Sequence, residues 1–167
     1  MKIKIRRASE ADIDDIMPVY DSARTFMRQN GNMTQWVNGY PSRRQILADI
    51  SAGVCYVGVD CEGRIAMVFA FIPGDDPTYA VIEDGAWLND RPYATIHRIA
   101  SSGIYGGMLN RCVDFCFGQI DNIRIDTHAD NIPMHNALTR LGFVRCGIIH
   151  VADGTPRTAY QKYQGIQ

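Results

Sequence analysis

The sequence lacks the features that mark membrane proteins and nucleic-acid-binding proteins. No apolar run approaches the roughly 18 residues of a membrane span, and no block of Lys or Arg supplies the basic surface that nucleic-acid binding needs. With 17 Lys and Arg against 18 Asp and Glu, the formal net charge of the 167 residues is only −1. The opening segment MKIKIRR alternates charged and apolar residues, which predicts a strand and not a signal peptide. We therefore expect a cytoplasmic protein that binds neither membranes nor nucleic acid.

Paired Cys-x-x-Cys motifs are also missing, although the chain has five cysteines. Cys55 and Cys116 lie among apolar neighbours, in the strings VCYV and FCF, where a free thiol behaves as a small hydrophobic group. Cys112 and Cys116 lie four residues apart in a predicted helix. A zinc site built on them would draw on His97 or His128, but the spacing lacks the paired knuckles of zinc sites. We expect the cysteines to pack in the core, with no disulfide and no metal.

Hydrophobic periodicity predicts one domain that spans residues 1–167 and contains both helices and strands. Single domains usually span about 100–200 residues, and no repeat, low-complexity tract or linker-like stretch divides this chain. Alternating apolar residues mark strands, and apolar residues three or four positions apart mark helices. The sequence of predicted helices and strands along the chain is typical of an α/β fold with a mixed sheet. Pro18 is expected to kink or interrupt the first helix. The predicted strands cover 2–7, 54–59, 64–72, 79–82, 94–101, 122–127, 143–151 and 157–163, and the predicted helices cover 13–27, 42–50, 107–117 and 133–141.

The segment HRIASSGIYGGML, residues 97–109, joins a predicted strand to a predicted helix through a loop of small residues. Such a loop exposes backbone N–H groups at the positive end of the helix dipole, where phosphate groups bind. Gly103, Gly106 and Gly107 would let a ligand approach the main chain closely. The segment matches neither G-x-G-x-x-G nor the P-loop, and glycine-rich turns also occur for conformational reasons alone. From these residues, a phosphate site and a plain turn are both open.

A second motif, NIRIDTHADNIPMHNALTRLGF, follows in residues 122–143, and in it Asn131 stands eleven residues before Gly142 of a Gly-Phe pair. Together the two motifs resemble the GCN5-related N-acetyltransferase (GNAT) superfamily, whose members move an acetyl group from acetyl-CoA to an amine. The strings IHRIAS, IRIDTHADN and LGF…CGII are similar to one bacterial subgroup, and the element order fits along essentially the whole chain. The resemblance implies a mixed, mostly antiparallel sheet of about seven strands with helices on both faces. It also implies that parallel strands near 94–101 and 122–127 splay apart.

The sequence departs from the family pattern in the phosphate loop and at one acid position. Aligned on Gly106, Gly103 stands where the family loop has Arg or Gln, and Met108 stands at its final small position. The phosphate site would therefore rest on backbone amides with less help from side chains. Leu138 stands seven residues after the Asn, where the family often has a tyrosine that acts as general acid. The candidate acids by motif position are Tyr105, His135 and Tyr160.

By this resemblance acetyl-CoA is the cosubstrate, and no metal takes part. The pantetheine amides would pair with main-chain groups freed by the splayed strands, as a peptide adds to a sheet edge. A backbone N–H near Ile99 would face the thioester oxygen as negative charge develops there. Asn131 has the alternative role of an ordinary turn residue. The expected cofactor-binding residues are Ile99, Ala100, Ser101, Ile104, Tyr105, Gly106, Gly107, Met108, Leu109 and Asn131.

The proposed reaction needs a base, because an amine is protonated at neutral pH and has no lone pair for attack. Glu83 lies close to where several family members place a catalytic glutamate. His97 suits the task because the pKa of an ordinary histidine is about 6.5. Each residue also has a structural interpretation, Glu83 as a solvated loop charge and His97 as a hydrogen-bonded strand residue. Arg98 and Asp126 are expected to form a buried ion pair.

The acceptor is open at this point, and an amine-bearing small molecule or a peptide would serve. Bulky aromatic residues in two loops either wall the acceptor site or cover the sheet. An alternative function is a CoA-binding sensor or interaction module that keeps the fold without catalysis. The resemblance is also compatible with a homodimer. The loop aromatics are Trp36, Tyr40, Trp87 and Tyr93.

Overall fold

A sheet of seven strands lies at the centre of the computed structural model, which describes residues 1–165. Within that range no helix is long and apolar enough to cross a membrane. The strands are β1 (Lys4–Arg7), β2 (Cys55–Val59), β3 (Ile65–Pro73), β4 (Ala94–Ser101), β5 (Asn122–Thr127), β6 (Val144–His150) and β7 (Pro156–Tyr163). The α-helices are α1 (Ile13–Gln29), α2 (Arg43–Ser51), α3 (Met108–Phe117) and α4 (Ile132–Arg140).

The order of the strands places one parallel pair inside an otherwise antiparallel sheet. The order is β1-β2-β3-β4-β5-β7-β6, and only β4 and β5 run parallel among the strands of the described chain. These two strands pair only at Ala94 with Ile123 and at Thr95 with Arg124. Beyond Thr95 and Arg124 the two strands diverge, so the second half of β4 has no partner strand on the side that faces β5. The predicted mixed sheet with splayed parallel strands is confirmed.

Helices cover both faces of the sheet, as predicted. Successive side chains of a strand point to opposite faces, and β3 shows this alternation. Met67 and Phe69 pack in the core cluster that also contains α3 and Leu138 of α4. Val68, between them, packs in the cluster that contains the buried side of α1 and Ile46 of α2. The sheet therefore has an apolar core on each face.

The predicted strand over 79–82 is wrong. A 3₁₀ turn covers Pro77–Tyr79, and in the following segment Glu83 forms a single β-bridge with Ile148 of β6. The Asp76 carboxylate caps the turn by accepting a hydrogen bond of 2.9 Å from the amide of residue 78. Proline is also favoured in the first turn of a helix. These local bonds favour a turn over an extended strand.

Pro18 lies inside α1 without interrupting it, so of the two expected effects, a kink or an interruption, the interruption does not occur. A proline inside a helix removes one backbone hydrogen bond. Here both Pro18 and Asp14, whose carbonyl loses its partner, are exposed, so water can replace the missing donor. The buried residues on the other side of this stretch, Ile16 and Tyr20, hold the helix against the sheet.

All five cysteines are free thiols, and four of them are buried as expected. The expectation is wrong for Cys61, which lies in the polar turn between β2 and β3 and is exposed. Burial raises the pKa of Cys55 to about 12, and it raises the pKa of Cys112 well above its usual value. The zinc interpretation also lacks ligands, since no three His, Cys, Asp or Glu side chains of the described residues converge.

We expect Cys61, the exposed cysteine, to react alone in the native protein, because the reactive form is an accessible thiolate. Titration with a chromogenic disulfide reagent should find one fast thiol per chain in buffer and five in denaturant. A second fast thiol in the native protein would contradict the burial of the other four.

Candidate active site

The splay between β4 and β5 opens a cleft with two compartments. The first has a volume of about 310 Å³ and lies between β4, α1 and the N-terminal parts of α3 and α4. The second has a volume of about 600 Å³ and extends from β4 across the end of β5 to the turn between β6 and β7. Met27, Ile99, Asn131 and Met134 line both compartments, so the two are adjacent.

A β-bulge in β4 shapes the wall of this cleft. Between His97 and Ala100 the strand has one residue more than the facing segment of β3. Arg98, inside the bulge, has a positive φ of 52°, and its carbonyl accepts a 2.7 Å hydrogen bond from the Tyr20 hydroxyl. Bulges re-aim the side chains of a strand and are common beside active sites. Here the bulge lies where β4 has already parted from β5.

The Arg98 side chain turns towards α2, so its predicted ion pair with Asp126 is wrong. Its Nε and Nη2 atoms donate to the two carboxylate oxygens of Asp49 at 2.8 and 2.9 Å, and its Nη1 donates to the Tyr40 hydroxyl at 3.2 Å. Asp126 instead accepts a 2.6 Å hydrogen bond from the Tyr79 hydroxyl. The prediction assumed regular, paired strands, whereas the bulge and the splay separate these two side chains.

The loop between β4 and α3 presents unpaired backbone amides next to the first compartment. α3 begins at Met108, and Gly107 before it has a positive φ of 74°, which glycine adopts without steric cost. Within the described chain, none of the backbone amides from 105 to 110 donates a hydrogen bond. They lie at the positive end of the α3 dipole, an arrangement that binds phosphate groups.

The structure brings most of the predicted cofactor-binding residues to the first compartment. The remaining four, 104–107, form the adjoining loop. The Tyr105 hydroxyl anchors this loop to the β2–β3 turn, because it donates to Asp60 at 2.7 Å and accepts from Arg64 at 3.0 Å. Those that line the compartment are Ile99, Ala100, Ser101, Met108, Leu109 and Asn131.

Asn131 serves the fold as well as the cleft. Its Oδ1 atom caps α4 by accepting a 3.4 Å hydrogen bond from the Met134 amide. Its Nδ2 atom donates to Gln35 at 3.2 Å, and its side chain is buried. Asn131 is therefore both a turn residue and part of the wall of the cleft.

His97 lines the second compartment and is paired with Asp76. Its Nε2 atom lies 2.8 Å from an Asp76 carboxylate oxygen. Burial raises the pKa of Asp76, but hydrogen bonds from His97 and Thr78 outweigh burial and lower that pKa to about 2. Because an ionised carboxylate only accepts hydrogen bonds, Nε2 donates in this pair, and in the neutral form of the ring the lone pair is on Nδ1. The pair therefore fixes the orientation of the imidazole.

Glu83, the other predicted base, is exposed and lines neither compartment. Its backbone exchanges two hydrogen bonds with Ile148, of 2.8 and 2.7 Å, which attach its loop to β6. The geometry therefore favours His97 over Glu83 for chemistry inside the cleft.

The three candidate acids lie outside both compartments. The hydroxyl of Tyr160 donates to Nδ1 of His135 at 2.6 Å, and Nε2 of that histidine lies 3.1 Å from two backbone carbonyls. Tyr105 is held by Asp60, as described above. Leu138, at the position of the family tyrosine, is completely buried in the core.

The two aromatic loops have different roles. Trp36 and Tyr40 line the second compartment. Trp87 and Tyr93 instead enclose the guanidinium of Arg124, whose central carbon lies 4.1 and 4.0 Å from their ring centres. The first loop therefore walls the cleft, and the second covers the sheet.

Two charged residues of the cleft, Asp76 and Arg157, were missed by the sequence analysis. Asp76 lies in a Pro-Gly-Asp-Asp-Pro segment that signals only a turn, and Arg157 lies in the last strand without any motif. Their place in the second compartment arises from the way β4, β5 and β7 meet. No local pattern in the sequence carries that information.

The known proteins to which this chain is similar are solved structures. Neither the models of known protein families nor the curated protein sequences give a match. The chain is 34% identical to an acetyltransferase of the GNAT family from Streptococcus agalactiae, with a TM-score of 0.88 over 98% of this chain and 96% of that one.

Two further solved structures have the same fold. A GNAT-family acetyltransferase from Listeria monocytogenes has a TM-score of 0.72 and 20% identity, over 97% of this chain and 95% of that one. One from Bacillus cereus has a TM-score of 0.66 and 17% identity, over 99% of this chain and 100% of that one. At these identities the likeness concerns the fold alone.

Proposed function

Because the chain belongs to the GNAT family of acetyltransferases, we propose that it transfers an acetyl group from acetyl-CoA to a primary amine. The observation that carries this proposal is the cleft between β4 and β5. There, a loop of unpaired amides adjoins the first compartment, and an oriented histidine lines the second. The first compartment would hold the cosubstrate, and the second would hold the acceptor.

The first compartment suits acetyl-CoA on three counts. Its walls are mainly apolar, with Ile99, Met108 and Ala137 among them, and so would accept the pantetheine arm. The unpaired edge of β4 offers main-chain partners to the pantetheine amides. The amides from 105 to 110 would bind the pyrophosphate, with no lysine or arginine required in the loop.

In the proposed reaction the amine nitrogen attacks the thioester carbonyl carbon directly. His97 Nδ1, directly or through one water, accepts the proton that the ammonium must lose. The carbonyl oxygen gains negative charge, and a backbone N–H near Ile99 would stabilise it. The new C–N bond forms first and gives a tetrahedral oxyanion. The oxyanion then collapses, the C–S bond breaks and CoA leaves as a thiolate, while the second proton of the former ammonium passes from the nitrogen to water. Asp76 holds the imidazole in the required tautomer.

Water would supply the proton for the departing thiolate. The three candidate acids lie outside the cleft, and Leu138 has no proton to donate. An ordinary thiol has a pKa of about 8.5, so the thiolate is a tolerable leaving group near neutral pH. The base therefore limits the rate more than the acid does.

Turnover of acetyl-CoA against a panel of primary amines tests the proposed function. We expect release of free CoA thiol that depends on both the protein and an amine, with an acetylated amine detected by mass spectrometry. Tight CoA binding without turnover of any amine would support the alternative, a CoA-binding sensor on the same fold. The leucine at position 138 is the observation that favours that alternative.

Replacing Gly106 by valine should weaken CoA binding about a hundredfold, the cost of one or two lost charge-assisted hydrogen bonds. A Cβ atom added there meets no other atom within 4 Å, so we expect the protein to stay folded while the branched side chain blocks access to the loop amides. Calorimetry with CoA measures the affinity, and thermal unfolding checks the fold. Gly165→Val is the matched control, because a Cβ atom there also meets nothing within 4 Å and the residue lies outside the loop. Equal affinities in the two variants would refute this placement of the pyrophosphate.

A further inference from the structure

One arginine of the second compartment has no partner in the fold. Arg157 of β7 lines this compartment, and its Nε atom is buried without a hydrogen bond. Arg157 forms neither an ion pair nor a hydrogen bond with any residue in 1–165, and Nε is its one nitrogen that is buried without a partner. A ligand cannot reach this Nε atom, but the Nη1 and Nη2 atoms are not buried, so they can bind an acceptor that residues 1–165 do not supply.

Every other charged side chain that lines the compartment is already engaged within the described chain. Asp76 binds His97, Asp126 binds the Tyr79 hydroxyl, Arg98 binds Asp49, and Asp153 binds the Thr155 amide. Asp153 also lies near Arg157. Hydrogen bonds from Thr155 are the largest cause that lowers the pKa of Asp153, and the positive charge of Arg157 lowers it further. The two form no ion pair, so the guanidinium can still bind a ligand.

The arginine shares one wall of the cleft with the proposed base. Asp126 of β5 lies directly opposite Ala159 of β7, and Arg157 is two residues from Ala159, so Asp126 and Arg157 point to the same face. Diagonal neighbours of this kind have Cα atoms about 7–8 Å apart. The Tyr79 ring connects this wall to His97, since it binds Asp126 and its centre lies 6.2 Å from the imidazole.

The Asp126 carboxylate and the Arg157 guanidinium on this wall carry opposite charges but form no ion pair with each other. The Asp126 carboxylate is suited to an ammonium group that approaches His97. The Arg157 guanidinium is suited to a carboxylate, which it can bind through two parallel N–H groups. A ligand that matches both carries a positive and a negative group a short distance apart.

We propose that the acceptor is a small amine that also carries a carboxylate, with Arg157 binding the carboxylate while the amine approaches His97 past Asp126. This inference names the substrate class and rests on the proposed acetyl transfer. It makes Arg157 a specificity-determining residue, with no part in proton transfer.

Matched pairs of acceptors test this inference. Each pair consists of an α- or ω-amino acid and its carboxamide, which keeps the amine and removes the charge of the acid. For the preferred pair, we expect the amino acid to have a kcat/KM about tenfold to a hundredfold above that of the amide. Arg157→Gln should remove that preference by raising KM for the amino acid, and it should leave both the amide and acetyl-CoA unaffected. Arg157→Lys should restore part of the preference.

Arg145→Gln is the control, because Arg145 is exposed, is paired with Asp84 and lines neither compartment. Calorimetric titration of the same pairs into the CoA-bound protein reports the preference without turnover, so a failure of catalysis and a failure of this inference are distinguishable. Equal binding of acid and amide to the wild type would overturn the inference. So would an Arg157→Gln variant that weakens both members of a pair equally.

Discussion

Replacing His97 with alanine is expected to lower kcat about 10²–10⁴-fold, the usual contribution of a general base, and to leave CoA affinity nearly unchanged. The reason is geometric: Asp76 binds the Nε2 side of the ring, Nδ1 has no hydrogen-bond partner among residues 1–165, and His97 lines the second compartment. Asp76 stays ionised between pH 6 and 9, because hydrogen bonds from His97 and Thr78 outweigh burial and lower its pKa to about 2. It therefore holds the ring in the same orientation across this range.

Steady-state kinetics between pH 6 and 9 with the best acceptor measures the effect, and calorimetry with CoA measures the affinity. His150→Ala is the matched control, since this exposed histidine lies at the end of β6 and lines neither compartment. Wild-type kcat in His97→Ala together with a large loss in Glu83→Gln would assign the base to Glu83. Wild-type kcat in both variants would leave the reaction to positioning and the backbone oxyanion contact alone.

Replacing Asp49 with alanine should lower the free energy of unfolding by about 3–5 kcal/mol, the cost of leaving one member of a buried ion pair without its partner. The side chains of Asp49 and Arg98 are only 8% and 13% exposed, and two hydrogen bonds join them. The loss should also loosen the bulge in β4, so kcat should fall even at temperatures where the variant is folded. Urea unfolding followed by circular dichroism measures the change in stability.

Glu62→Ala provides the comparison. Glu62 pairs with Arg64 at 3.0 Å, but the two side chains are 64% and 53% exposed. Exposed pairs of this kind contribute about 0–1 kcal/mol, since solvent screens them. Similar losses of stability in Asp49→Ala and Glu62→Ala would show that the Arg98 pair is no more important than a surface contact.

The regular elements around the cleft were predictable because their signals are local. The predicted strand 94–101 coincides with β4, and the predicted helix over 107–117 begins one residue before α3. Glycine and small residues separate these periodic segments clearly. The bulge at Arg98 had no such signal, because no glycine marks the positive φ. The conformation is held by Asp49 and Tyr20, which lie far away in the sequence.

The candidate site was predictable in part for the same reason. The loop 102–107 and the strand residues that precede it are contiguous, and a resemblance in sequence located them. The choice between Glu83 and His97 depends on which side chain faces the cleft, and a strand pattern does not fix this. The proposed role of Arg157 rests on its lack of a partner among residues 1–165, a property of the folded chain that its neighbours in sequence do not reveal.

The short pairing between β4 and β5 also bears on self-association. An unpaired strand edge normally invites a strand from another molecule, and proteins protect such edges. This edge lies in the interior of the sheet, and α1 and α4 line the compartment beside it. It therefore differs from the outer edge of a sheet, which is open on one side to another molecule. Any chain that pairs with this edge has to lie between α1 and α4.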